Sequence, residues 1–395
     1  MAEPTAVRPD DTQRASDCIV VGASFAGLAS AIVLARAGLR VVVLEKKRDA
    51  GAKLHTTGII VKDAIDQIAL LDTLPASLIR RIPGVRLYAP NLRYVDLEAP
   101  GYYFLATDTP GVLRWLASEA ERAGAAIAYG TAFSGACRLR SGFDVDGVGP
   151  TRFVIGADGP RSRVAATLGL GASTQFLAGV EYEYAGCTLA TPDKLHCFID
   201  RRIAPGYIGW VLEGVHGVQT GLARRLNRRT SFKPAEAMEA FLDKIARVID
   251  LRGLVPTGVR AGLIPCGGVV APVAASRALL VGDAAGIVSP VTAGGIHTAL
   301  KHGLAAGNAV ADFLHGKAED PSGRFARSYP RFRMKRILRF LFDKFQSDLA
   351  FNCLLATWPV RAAASLVYFH HKGAFDPADQ ETPALVSRPQ QSGPP

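Results

Sequence analysis

Residues 18–45 read CIVVGASFAGLASAIVLARAGLRVVVLE, and the order of residue types in this stretch decides the fold. Cys18 to Val21 is a short apolar, β-branched run of the kind a central parallel strand needs. Gly22-Ala23-Ser24-Phe25-Ala26-Gly27 then turns the chain. Behind it Leu28, Ile32 and Ala35 recur at helical spacing, and Gly38 marks a stop. Arg40 to Leu44 reads as a second strand, ending in Glu45 with Lys46 after it. Strand, glycine turn, helix, strand and acid make a complete β-α-β unit of the dinucleotide-binding type. Gly22 permits the tight exit from the strand. The middle position, here Ser24, is small enough for a pyrophosphate to approach the backbone, and Gly27 lets helix and strand pack closely. The helix start around Phe25 and Ala26 offers free N–H groups and a partial positive charge to phosphates. Glu45 can accept hydrogen bonds from ribose hydroxyls. An acid there disfavours a 2′-phosphate, so FAD or NAD fits and NADP does not.

The chain has 395 residues, with 46 Lys and Arg against 35 Asp and Glu and a formal net charge of +11. With 49% apolar and 21% charged residues it is neither a disordered chain nor a small disulfide-stapled scaffold. Its six cysteines include no C-x-x-C pair, so no zinc ribbon or dithiol redox motif is expected, and no metal site. We read them as reduced thiols in a cytoplasmic protein whose redox chemistry comes from a bound cofactor. The positive charge reads as a solvated basic surface, without a nucleic-acid-binding signature. Residues 1–17 lack a basic segment ahead of an apolar one, so no secretory signal is expected. Cys18 to Ala35 is an uncharged run of 18 residues, but its glycines and serines fit a buried strand and helix better than a membrane span.

Two later motifs narrow the cofactor. Phe153-Val154-Ile155 runs into Gly156-Ala157-Asp158-Gly159, and Ala278 to Val281 runs into Gly282-Asp283-Ala284-Ala285-Gly286. Pro290 and Gly294-Gly295-Ile296 follow, then a helix from about His297 to Leu314. Each places an acid beside glycines at the end of a buried strand, where open α/β sheets bind ligands. Together with the first unit they resemble the flavoproteins built like para-hydroxybenzoate hydroxylase, which bind FAD in one nucleotide fold. The form with Gly286 after the two alanines is similar to the geranylgeranyl reductase family of FAD-dependent oxidoreductases.

That resemblance implies roles for particular residues. Asp283 would bond the ribityl chain near the pyrophosphate. Gly294 and Gly295 would bring backbone N–H groups to the flavin pyrimidine edge, where they stabilise negative charge on the reduced ring. Asp158 would brace the first motif and the nicotinamide approach. Gly22, Ser24, Phe25, Ala26, Gly27, Glu45, Lys46, Gly58, Arg114, Gly282, Gly286, Pro290 and Ile296 complete the expected cofactor contacts. The family also carries a Tyr and a Trp lining the substrate cavity, for which Tyr207 and Trp210 stand here. Their spacing is one residue longer than the family pattern and Leu212-Glu213 replaces the closing Phe-Pro, so packing of an ordinary sheet stays open as a reading. The Cys-Gly-Gly common near the flavin is absent from Gly51 to Gly58, which leaves His55 as the nearby group titrating close to neutral pH. His55 is either a proton donor or a capping histidine. Thr109 stands where many relatives have Arg, with Arg114 one turn on in a helix from Val112 to Gly124.

The remainder supplies a second domain. Val85 to Tyr94, Gly179 to Thr188, His196 to Ile199 and Tyr207 to Leu212 have strand character. The alternation Val180-Glu181-Tyr182-Glu183-Tyr184 predicts half-exposed antiparallel strands. Pro234 to Ile249 reads as a helix on the sheet edge. Arg224, Arg225, Arg228 and Arg229 before it read as a solvated face or a hold for a phosphate. From Arg331 onward, Met334, Ile337, Leu338, Leu341, Phe342 and Phe345 form one apolar helical face, flanked by six basic residues against Asp343. Such a helix suits the surface of an anionic bilayer, with Phe332 and Phe340 at its margins. It equally suits docking on its own protein with the basic residues in water.

The expected class is α/β: a Rossmann-type FAD-binding domain with an inserted antiparallel β-sheet substrate domain and a C-terminal helical region. The cofactor domain takes 16–82, 106–174 and 266–318, and the substrate domain 83–105 and 175–265. A helical region spans 319–375, with disordered ends at 1–15 and 376–395. The expected activity is FAD-dependent reduction of carbon–carbon double bonds in an isoprenoid or other apolar lipid, with NAD(P)H as external electron donor. The alternatives are an FAD monooxygenase or halogenase of the same fold, and a non-catalytic flavin-binding protein at a membrane. The partners expected are a small apolar substrate such as a prenyl lipid, a peripheral membrane contact through 331–345, and no nucleic acid.

Overall fold

The computed structural model describes residues 15–54, 57–226 and 232–369. His55, Arg228, Arg229 and nearly all of the two ends read as disordered lie outside these ranges.

The first sheet is centred on β1 (Ser16–Val21), which pairs in parallel with β2 (Val41–Glu45) on one side and β11 (Gly149–Gly156) on the other. Outward lie β8 (Ala126–Tyr129) beside β2 and β18 (Ala278–Leu280) beside β11, both parallel, with the short β17 (Ala274–Ala275) antiparallel at the edge. A hairpin of β9 (Ala136–Leu139) and β10 (Gly142–Val145) branches from β11. Ile19, Val20, Val43, Val154 and Ile155 have no exposed surface, as a sheet covered on both faces requires. α1 (Phe25–Arg36) packs against α3 (Thr109–Arg122) and, most extensively, against α6 (Ile296–Leu314). The run Cys18–Ala35 is thus interior strand and helix. Among the described residues no single helix is long and apolar enough to cross a membrane.

The contact of α1 with α6 is backbone on backbone. A Cβ on Gly303 would sit 2.4 Å from the Ala26 carbonyl oxygen, and one on Gly307 would meet Val33 Cβ at 2.8 Å. Ser30 Oγ lies 2.9 Å from the carbonyls of both Ala26 and Gly303, so the helices share a polar tie at their closest point.

The second sheet runs β16 (Gly258–Pro265), β12 (Phe176–Ala185), β15 (Gly217–Arg225), β14 (Gly209–Glu213), β13 (Lys194–Phe198), β5 (Gly84–Tyr88), β6 (Tyr94–Glu98). All neighbours are antiparallel except β13 and β5. α5 (Pro234–Ile245) covers one face, where Met238, Phe241 and Ile245 pack with Val180, Tyr184, Val211 and Leu222. The opposite face is the one that matters for the site. Val85 to Tyr94 is a hairpin and not one strand, because Pro90-Asn91-Leu92 turns the chain, with Leu92 at φ +66°. A small sheet of β3 (Ile59–Val61), β7 (Phe104–Thr107) and β4 (Ile79–Ile82) was missed by periodicity, its strands being only three or four residues long. Of two short helices, α2 (Lys62–Gln67) follows β3, and α4 (Arg163–Thr167) follows β11 and packs Val164 and Ala165 into the core of the first sheet.

The C-terminal region is α7 (Ser322–Phe325), α8 (Arg333–Phe345), α9 (Asp348–Leu354) and α10 (Trp358–Phe369). α10 inserts Phe369 against Tyr102 and Phe104, with ring centroids 5.6 and 6.0 Å away. α8 corrects the docking alternative. It docks through its polar edge, with Arg339 and Gln346 buried and Gly206 N donating to Gln346 Oε1 at 2.7 Å. Met334, Leu338, Leu341 and Phe345 stay 43–68% exposed.

Gly303→Val tests the helix contact. Overpacking at a backbone-to-backbone crossing is expected to cost about 3 kcal/mol and lower Tm by roughly 6 °C or more. Gly316→Ala, where a Cβ meets nothing within 4 Å at φ +73°, should cost only about 1 kcal/mol for its left-handed backbone. Equal thermal shifts by calorimetry would contradict this account.

Candidate cofactor and substrate site

Glu45, Gly22, Asp158 and Asp283 stand at or just past the carboxyl ends of four adjacent strands, β2, β1, β11 and β18. Gly22 adopts φ +105°, and a Cβ on it would lie 2.5 Å from the Ala157 carbonyl oxygen. Gly27 is as constrained, with its Cβ position 2.1 Å from the Gly22 carbonyl oxygen. Ser24 does more than leave room for a phosphate. It caps α1, accepting from Gly27 N at 3.3 Å and donating to Ala157 O at 3.1 Å. The N–H groups of Phe25 and Ala26 have no partner among the described residues and remain at the helix start. Glu45 is buried, and its two oxygens accept from Ala23 N and Lys47 N, both at 2.9 Å, which ties the second strand end to the glycine turn. Lys46 is exposed beside it.

Asp158 Oδ2 accepts from Arg163 N and Val164 N at 2.6 and 3.1 Å, capping α4, while its buried Oδ1 has no partner. Asp283 sits in a short 3-10 turn, Gly282–Ala285, that ends at Gly286 with φ +70°. Its carboxylate has no hydrogen-bond donor among the described residues, and burial pushes its pKa up from 3.8 to about 6. A Cβ on Gly295 would lie 3.6 Å from Asp283 Oδ1, so Asp283 and the start of α6 face one another. Gly294 O accepts from Ser289 N at 3.0 Å, closing the loop from buried Pro290 to Ile296. Gly286 has a packing reason for lacking a side chain, since a Cβ there would be 2.4 Å from Gly268 O.

The Gly58 loop is held from beneath. Thr109 Oγ1 donates to Thr57 O at 3.2 Å and Thr107 Oγ1 to Gly58 O at 2.7 Å. A Cβ on Gly58 would fall 1.8 Å from Thr109 Oγ1. Thr109 is therefore a loop anchor. Arg114 pairs with Asp49 through both its Nε and Nη2, at 2.9 and 2.7 Å.

The face of the second sheet opposite α5 closes the site. Tyr207 lies in the turn before β14, so the spacing question for a strand does not arise. Its hydroxyl donates to Thr292 O at 2.5 Å, and it packs with Leu177, Ala223 and Cys266 against Ile208, Trp210, Ile264 and Ala293. Tyr207 and Trp210 thus border one apolar cluster at the Gly294-Gly295 loop. Burial raises the pKa of both Tyr207 and Cys266.

Glu181 corrects the reading of β12 as half-exposed. It is 3% exposed and faces the cofactor domain. It accepts from Trp210 Nε1 at 3.0 Å and pairs with Arg260, which also holds Glu183. Burial raises its pKa, opposed by a hydrogen bond from Thr57 and by the Arg260 charge. Strand alternation made Glu181 look solvated; only the other domain's position turns that face inward.

The resemblance implies FAD, and these residues fit it: two unpartnered helix-start N–H groups, a donorless carboxylate at Asp283 and glycine cradles that no Cβ could occupy. Residues 15–329 match the FAD binding domain family. The chain is 30% identical over 332 residues to digeranylgeranylglycerophospholipid reductase 2 of Methanopyrus kandleri, covering 79% of this chain and 81% of that protein. It is 27% identical over 328 residues to the digeranylgeranylglycerophospholipid reductase of Methanocaldococcus jannaschii, covering 80% and 81%. Among solved structures, a geranylgeranyl bacteriochlorophyll reductase-like protein from Thermoplasma acidophilum superposes with a TM-score of 0.78 at 18% identity, covering 91% and 98%. The p-nitrophenol 4-monooxygenase of Pseudomonas putida superposes at 0.68 with 16% identity, covering 92% and 100%. These two structures share the fold.

Asp283→Asn separates binding from stability. The variant should lose flavin at least tenfold in Kd. The acid's folded-state pKa is raised, so its stabilising contribution is complete below 3.8 and lost as pH rises to about 6. The flavin-free variant should therefore gain Tm relative to flavin-free wild type above pH 6 and not at pH 4. A pH-independent difference would contradict the burial argument.

Proposed function

We propose, for a chain that belongs to the FAD binding domain family and within it to the geranylgeranyl reductases, that it reduces carbon–carbon double bonds of an isoprenoid lipid, with NAD(P)H as electron donor. The observation that carries this is the apolar cluster of Leu177, Tyr207, Ala223 and Cys266 pressed against Ala293, next to the Gly294-Gly295 turn. FAD, when bound, supplies the hydride. The Phe25 and Ala26 N–H groups would hold its pyrophosphate, Glu45 its ribose and Asp283 its ribityl hydroxyls, with Gly294 and Gly295 offering backbone N–H groups to the ring. Tyr207, tied to Thr292, and Trp210, tied to Glu181, wall the cavity and exclude water from it.

Saturating a double bond needs a proton besides the hydride. Glu181 is placed to hold it, being buried and bonded to Thr57 and Trp210. After giving its proton to carbon, the carboxylate is stabilised by Trp210 N–H and Arg260. Glu183, on the same Arg260, connects it to water. This assigns to Glu181 the role that the sequence left to His55.

Support comes from relatives named as reductases that align over about four-fifths of both chains, whereas the monooxygenase likeness is one of fold. Reduced enzyme without oxygen should be reoxidised by a prenyl lipid. Glu181→Gln should lower that rate at least tenfold and remove the loss of activity on the high-pH side, where wild type deprotonates. Product formed only with oxygen would instead identify an oxygenase.

The lipid substrate and α8 together support a bilayer contact. Ten of the sixteen exposed large apolar side chains among the described residues lie between Met334 and Leu366, with Arg333, Lys335, Arg336 and Lys344 around them. Leu338→Asn with Leu341→Asn should weaken sedimentation with anionic liposomes at least fivefold, and 0.5 M salt should weaken it further. Binding unchanged by both would refute the contact.

A further inference from the structure

α8 leaves a cleft of about 690 Å³ between itself and the end of the second sheet. Arg225 and Cys266 border it from the sheet side, and Arg333, Arg336, Arg339 and Asp343 from α8. Four guanidinium groups and one carboxylate thus line the same cleft.

Their partners are unevenly distributed. Arg225 is engaged by Gln175 Oε1 at 2.6 Å and the Cys266 sulfur at 2.5 Å, with Asp343 at 3.8 Å. Arg339 pairs with Asp343 at 2.9 Å, so the lone acid is neutralised by two cations. Arg333 and Arg336 have no acidic partner among the described residues. Arg339, only 5% exposed, keeps a buried Nη1 with no hydrogen-bond acceptor. A buried guanidinium donor without an acceptor is costly, and the planar arginine fork matches phosphate oxygens in particular.

We propose that this cleft binds a phosphate ester of the ligand that reaches the candidate site, its oxygens bridging Arg333, Arg336 and Arg339. The inference deepens the reductase reading and rests on it for the ligand's apolar part. Cys266 borders the cleft and belongs to the cluster with Tyr207 and Ala293, so a phosphate held here lies next to the apolar wall where a prenyl chain would pack. A lipid headgroup and a nicotinamide dinucleotide both carry such an ester, and the experiment tells them apart.

The test uses flavin-loaded protein and calorimetric titration with inorganic pyrophosphate, geranylgeranyl diphosphate, geranylgeraniol and NADPH. Wild type should bind pyrophosphate and at least one phosphate-bearing ligand, more weakly as salt rises. Arg333→Glu with Arg336→Glu, both on the protein surface, should raise those Kd values at least tenfold. Flavin content and geranylgeraniol affinity should stay unchanged, and the paired Lys variant should keep part of the affinity. Loss for geranylgeranyl diphosphate assigns the cleft to the lipid headgroup; loss for NADPH assigns it to the dinucleotide. Unchanged Kd values for all three phosphate compounds in the Glu variant would overturn the proposal. Pyrophosphate binding that fails in the variant while no prenyl lipid reoxidises the reduced flavin would uphold the cleft and remove the reductase reading instead.

Discussion

The approach of α1 to its two neighbours is the constraint on which the rest depends. At Gly27 the helix meets the strand exit, and at Gly303 the helix α6 meets α1, each at a distance no side chain could share. Because α6 is drawn in that close at Gly303, its start at Gly295 comes to lie beside Asp283, whose neighbour Gly282 packs on Ala26 of the first turn of α1. One helix crossing therefore assembles the anion-seeking end of α1 and the acidic turn of the third motif into one site. A methyl group at either glycine would separate them.

A second consequence concerns the space between the two large sheets. The face of the second sheet opposite α5 is apolar at the Leu177, Ala223 and Cys266 end and charged at the Glu181, Glu183 and Arg260 end. Two hydrogen bonds bind it to the cofactor domain, from Tyr207 to Thr292 and between Thr57 and Glu181. The proposed double-bond reduction would use both parts: an apolar wall that keeps water from the reacting carbon and a carboxyl group able to retain a proton when buried.

α8 follows a different logic from the interior helices. Its buried side chains are polar, Arg339 and, just past its end, Gln346, and most of its apolar stripe is exposed, with Phe342 alone of that stripe half-buried near Phe351. Hydrophobic burial in water alone would favour the reverse. The bilayer contact and the anion site proposed above would account for this arrangement.

How much of this was legible in the sequence follows from range. The β-α-β unit, the three glycine-acid motifs and α6 were readable because each is a local requirement: a glycine where the backbone must turn or approach, an acid within three residues of an apolar run. The hairpin at Pro90 and the three-residue strands were not, since periodicity needs longer segments. Ser24 as a cap, Thr109 as a loop anchor and the commitment of Arg114 to Asp49 depend on partners distant in the chain. So does the interior position of Glu181, whose alternation with Val180 and Tyr182 is the same for a solvated face as for one covered by another domain. The chain by itself determined which elements form and which cofactor chemistry they suit, because those depend on neighbours within a few residues. Only the tertiary structure decided which charged side chains are removed from water and which apolar ones are left in it, because burial is set by what packs opposite and no local pattern encodes that.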